Sequence, residues 1–127
     1  MEGGVKALPL AGGLRVIDAA TLAAGPLVAT TLGEFGAEVI KVEQPGGVGD
    51  PLRTWGGDRR ADIGLIWKSV SRNKLCVTLD LRQEPGRSLL HDLLATSDVF
   101  RDQHQTVDVG TMGASTTTRS TPGIRSW

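Results

Sequence analysis

The chain has 127 residues, room for one domain with a core of its own and not for two. Apolar residues make up 39% and charged residues 22%, an ordinary balance for a globular protein that excludes a membrane-embedded or wholly unstructured chain. Its 14 basic and 14 acidic residues cancel, so no long-range field draws it to nucleic acid or to a membrane surface.

The first residues, Met1 to Lys6, lack the basic end and apolar run of a signal peptide, and no apolar stretch reaches spanning length. Cytoplasm is the expected location. Leu14 to Ala19 form a short β-rich run bounded by glycine, which predicts a buried strand. Pro26 to Gly36 then reads as a helix, with Pro26 in its first turn, where a missing N–H costs nothing, and Gly36 at its end. Val39 to Val42 are a second strand, which completes a βαβ unit. From Gln44 to Asp62 the pattern lapses into a loop rich in glycine, proline and arginine. Ile63 to Val70 reads as a short helix with Leu65, Ile66 and Val70 as its apolar contacts. Leu75 to Leu81 alternates as a third strand. Pro85 to Thr96 is the clearest helix, with Leu89, Leu90, Leu93 and Leu94 on one face, and Asp98 to Phe100 begins a fourth strand. Beyond it, Arg101 to Trp127 carries almost no apolar periodicity and is expected to be disordered.

Few residues invite chemistry. The 17 glycines cluster around Gly12, Gly46 and Gly56, as loop punctuation or as places where a ligand approaches the backbone. In an alternating βα pattern, ligands sit at the carboxyl ends of strands, beside helix N-termini that favour anions. The first such turn, Thr21 to Pro26, is made of small residues but lacks the GxGxxG pattern of nicotinamide sites. It is either a ligand cradle or a compact strand-to-helix turn. His91 and His104 have no metal spacing, so no metal is expected. Ser69 and Ser71 have no base nearby. The lone Cys76 excludes a disulfide framework, suits a reducing compartment, and reads as an inert thiol in a buried strand. Arg53, Arg59, Arg60, Arg72 and Lys74 are either phosphate contacts or solvated loop cations.

Four stretches add a resemblance. LPLAGGLRVIDAATLAAGP, LGEFGAEVIKVEQPGGVGDPLR, SRNKLCVTLDLR and EPGRSLLHDLLATSDV occur in order across Leu8 to Val99. Together they resemble the start of the family III (CaiB/BaiF-type) CoA-transferases, which include formyl-CoA and carnitine CoA-transferases and α-methylacyl-CoA racemase. The resemblance implies an α/β fold, the Rossmann-like amino-terminal part of a larger domain with an incomplete sheet, over residues 8–100. It implies acyl-CoA and carboxylic acid substrates, with coenzyme A as the carrier, and interlaced homodimers that this fragment cannot form. The family moves CoA through acyl intermediates on an aspartate nucleophile. Positions matching Leu22, Ala23 and Ala24 lie along CoA in the family, and those matching Leu79 and Arg82 lie near its adenosine end. Gln44 stands where some relatives carry a phosphate-binding arginine. A racemase-like relative, a non-catalytic nucleotide-binding module and a pseudogene product are the alternatives.

The likeness stops near Phe100. Relatives continue with Asn-Phe-Arg-Pro-Gly and Leu-Glu-Arg-Trp-Gly-Leu segments, whereas residues 101–127 do not, and no residue matches the catalytic aspartate. The fragment alone is therefore expected to be inactive. Thr106 to Gly113 can be encoded so that reading one base later gives Pro-Ser-Thr-Leu-Glu-Arg-Trp-Gly. The expectation is a gene that slipped frame near Phe100 and again near Gly113, which its nucleotide sequence tests.

Overall fold

The computed structural model describes residues 10–56, 59–60 and 63–102, with the backbone alone at 59–60. The expectations for residues 103–127 fall outside it. In chain order the elements are β1 (Arg15–Asp18), α1 (Ala24–Glu34), β2 (Glu38–Glu43), a 3₁₀ turn (Pro51–Arg53), β3 (Arg59–Arg60), β4 (Ile63–Gly64), α2 (Leu65–Val70), β5 (Lys74–Thr78), α3 (Glu84–Ala95) and β6 (Val99–Arg101). Four strands form a parallel sheet in the order β5-β2-β1-β6, and β3 and β4 make a two-residue antiparallel ladder. The fold is α/β, as expected.

Strand side chains alternate between the faces of the sheet, and each face has its own helix. On one face Val16, Val39 and Val99 pack with Ala29 of α1. On the other, Ile17, Ile40 and Val42 pack with Leu90 and Leu94 of α3. A third cluster, Leu52, Trp67 and Val70, holds α2 against the 3₁₀ turn. Helix α1 approaches the sheet closely because its buried positions are Gly25, Pro26, Ala29 and Thr30. It ends where Gly36 takes φ +100°, a left-handed conformation that glycine adopts without penalty. Asp98 fixes the far side: its carboxylate accepts from the Arg15 amide at 2.9 Å, just before β6 joins β1.

Several expectations change. The 44–62 stretch is not bare loop, because Asp50 caps a 3₁₀ turn by accepting from the Leu52 amide at 2.9 Å. Helix α2 starts only at Leu65, since Ile63 and Gly64 pair with Arg60 and Arg59. It turns Trp67 and Val70 inward and leaves Leu65 and Ile66 exposed. On α3, Leu90 and Leu94 are buried and Leu93 is partly covered, but Leu89 is exposed. Cys76 is exposed, not buried, on β5, an edge strand among the described residues. No helix among the described residues is long and apolar enough to cross a membrane.

Candidate functional site

At the carboxyl ends of three strands lies a cleft of about 470 Å³. Its floor continues β1 and β2, through Ala19, Thr21, Val42, Glu43 and Gln44. Gly49, Asp50 and Pro51 form one wall, and the segment Leu79 to Arg82, which follows β5, forms the other. The Leu79 amide donates to the Glu43 carbonyl at 2.9 Å, which extends the β2–β5 pairing to the cleft edge. The strand order reverses between β1 and β6, so the cleft opens to one side of that crossover point, over β1, β2 and β5.

Of the site residues expected from sequence, Leu79 and Arg82 line this cleft, and Gln44 lines it with them. Leu79 is half-buried, packed also against the α3 cluster. Arg82 is paired with Asp80 through Nε to Oδ1 at 2.9 Å and Nη2 to Oδ2 at 3.1 Å, while its side chain stays 79% exposed. Hydrogen bonding to Arg82 holds the Asp80 carboxyl below the usual carboxylate range, and the same bond pushes the guanidinium up. Exposed pairs of this kind contribute little to stability, so the guanidinium can exchange Asp80 for an incoming anion.

Leu22, Ala23 and Ala24 follow Thr21 directly but do not line the cleft. Leu22 adopts φ +64°, strained for a branched residue, and packs against the Leu52–Trp67–Val70 cluster. Ala23 and Ala24 are exposed at the start of α1, which has no side-chain cap.

The cations divide differently from expectation. Arg53 grips Glu43 with two bonds of 2.9 Å and lies 4.1 Å over the Trp67 ring. Its hydrogen bonds to Glu43 raise its pKa further. Arg72 pairs with Glu34. Lys74 is neither a solvated cation nor a phosphate contact. Its ammonium is enclosed, 2.9 Å from Asp18 Oδ2 and 2.7 Å from the Pro26 carbonyl, and desolvation lowers its pKa.

Lys74 is one of a cluster of four buried charges, of which Asp50 lines the cleft and the others do not, a cluster the sequence reading missed. Asp18 and Lys41 are fully buried and Asp50 is 3% exposed. Lys41 Nζ lies 3.0 Å from Asp50 Oδ2 and 3.9 Å from Asp18 Oδ2, and donates to the Ala20 carbonyl. Two acids and two bases cancel, the condition under which buried charge is tolerated. The signal was present: Asp18 and Lys41 each sit inside an apolar strand, where a solvated charge has no place. Among the described residues no group of three or more acidic, histidine or cysteine side chains is arranged for a metal.

The profile of CoA-transferase family III matches residues 11–119. The beta subunit of succinyl-CoA–L-malate CoA-transferase from Chloroflexus aurantiacus is 52% identical over 100 residues, which cover 79% of this chain and 24% of that protein. Human succinyl-CoA:glutarate CoA-transferase is 36% identical over 101 residues, covering 80% of this chain and 23% of the human protein. A CaiB/BaiF family protein from Brucella suis superposes with a TM-score of 0.66 at 39% identity, over 72% of this chain and 25% of that one. The chain thus spans about a quarter of the length of the relatives it matches. On this evidence it belongs to CoA-transferase family III.

Proposed function

We propose that these residues are the coenzyme A-binding portion of a transferase that moves CoA between carboxylic acids, and that the cleft takes the nucleotide end of the carrier. The observation that carries this reading is Arg82, an exposed guanidinium held at the rim of a cleft at the strand carboxyl ends, beside the half-buried Leu79. A nucleotide needs an apolar surface for its base and a fork-shaped donor for its phosphates, and these two residues supply both. The Leu22 to Ala24 turn, with free N–H groups at the start of α1, adds a surface along which the rest of the carrier runs. Acyl exchange is assigned to an aspartate that this sequence does not supply. Relatives named for succinyl-CoA with malate or glutarate make succinyl-CoA the first donor to test.

Calorimetric titration of the full chain with CoA tests the reading. Binding is expected, weakening with salt, and Arg82→Ala is expected to reduce affinity about five- to tenfold. Equal affinity of Arg82→Ala and wild type contradicts the role given to Arg82, and no binding by the wild type contradicts the reading itself. With succinyl-CoA and malate or glutarate, the chain alone is expected to show no turnover.

A further inference from the structure

Lys41 and Glu43 leave β2 on the same face, two residues apart, with opposite charge. Each meets its opposite across the loop that walls the cleft: Lys41 with Asp50 at 3.0 Å, Glu43 with Arg53 at 2.9 Å. Lys41 also holds the Ala20 carbonyl, between the cleft residues Ala19 and Thr21. Gly49 completes the fit, since a Cβ there would overlap the Glu43 carboxylate. We infer that these two ion pairs form a clasp, with Lys41, Asp50 and Arg53 as positioning residues that hold the 44–53 loop at the distance from the β1 end that a nucleotide requires. The inference rests on the reading of the cleft as a CoA site.

Stability alone does not explain the arrangement. A buried pair is often no more stabilising than apolar residues of equal volume, whereas it fixes one geometry among several. Lys41 does not line the cleft, so any effect of its removal on binding passes through the groups it holds, Asp50 on the loop and the Ala20 carbonyl at the β1 end. The charge order also forbids a slip: moving the loop along β2 would set Asp50 against Glu43.

The test compares the full-length chain with Lys41→Met, Lys41→Met/Asp50→Asn and Arg53→Met. The readouts are melting temperature, CoA titration and amide hydrogen exchange at Arg53 and Thr54, whose N–H groups donate within the 3₁₀ turn. Lys41→Met leaves two buried carboxylates, Asp18 and Asp50, to one buried ammonium, Lys74, and is expected to lower the melting temperature most. The double variant restores charge balance and recovers much of that loss, yet binds CoA about tenfold more weakly than wild type and exchanges faster at Arg53 and Thr54. Arg53→Met leaves the buried Glu43 carboxylate without its ion-pair partner, so it melts below wild type, and it binds less well. Binding within about twofold of wild type by the folded double variant and by Arg53→Met overturns the clasp. If the wild type itself does not bind CoA, the functional reading falls first. Exchange at Arg53 and Thr54 then decides the clasp alone: faster exchange in the variants supports it, unchanged exchange overturns it.

Discussion

Cys76 shows how position in a sheet governs a side chain. It stands in register with Lys41, on the edge strand, and is open to solvent. Partial burial of the sulfur and the neighbouring Glu43 carboxylate nevertheless push its pKa up, against the opposing pull of Arg53. Thiolate is the reactive form, so a raised pKa leaves less of it at neutral pH. Labelling with a disulfide reagent at pH 7.5 should run to completion, but more slowly than for a short unstructured cysteine peptide, and should accelerate as pH rises past the ordinary thiol range. Faster labelling than the peptide at pH 7.5 contradicts this account. The exposure of Cys76 was not legible in the sequence, because a strand's pattern does not say whether it lies at an edge. The buried charges were legible in principle: Asp18 in RVID and Lys41 in VIKVE interrupt apolar runs, and each such interruption needs a partner.

Among the elements, α3 depends on one close approach. Gly86 is buried in its first turn, and a Cβ there would overlap the Asp80 backbone, which cannot swing away as a flexible side chain can. Gly86→Ala should therefore cost about 2 kcal/mol of stability through overpacking and shift Leu79 to Arg82 with it. Chemical denaturation measures the first effect, and a loss of CoA affinity the second; a variant as stable as wild type refutes the close fit. Most strands and long helices followed from periodicity to within two residues, because β1, β2 and α3 satisfy local pattern and tertiary packing together, but β5 ends at Thr78 and not at Leu81. The loop after β2 did not. Its 3₁₀ turn is held by Asp50, Glu43 and Trp67 acting across the chain, and α2 turns its Trp67 rather than Leu65 and Ile66 to the core because Leu52 waits there. Of the candidate site, Leu79 and Arg82 fall on the cleft, while Leu22 is spent on packing.

For the molecule as a whole, chain direction explains the site. All four strands of the main sheet are parallel, so the segments after β1, β2 and β5 emerge at one end and enclose the cleft between them. The same sheet leaves β5 and β6 as open edges among the described residues, with Leu75 and Leu89 exposed nearby. Amide ¹H–¹⁵N NMR of the full chain, titrated with CoA, with adenosine 3′,5′-bisphosphate and with pantetheine, tests the central claim most directly. The account predicts that CoA and the bisphosphate shift the same resonances, at Thr21, Gln44, Gly49 and Leu79 to Arg82, and that pantetheine shifts them weakly. Shifts confined to the smaller apolar hollow between α1 and β6, around Val28, Leu32 and Val99, would contradict it.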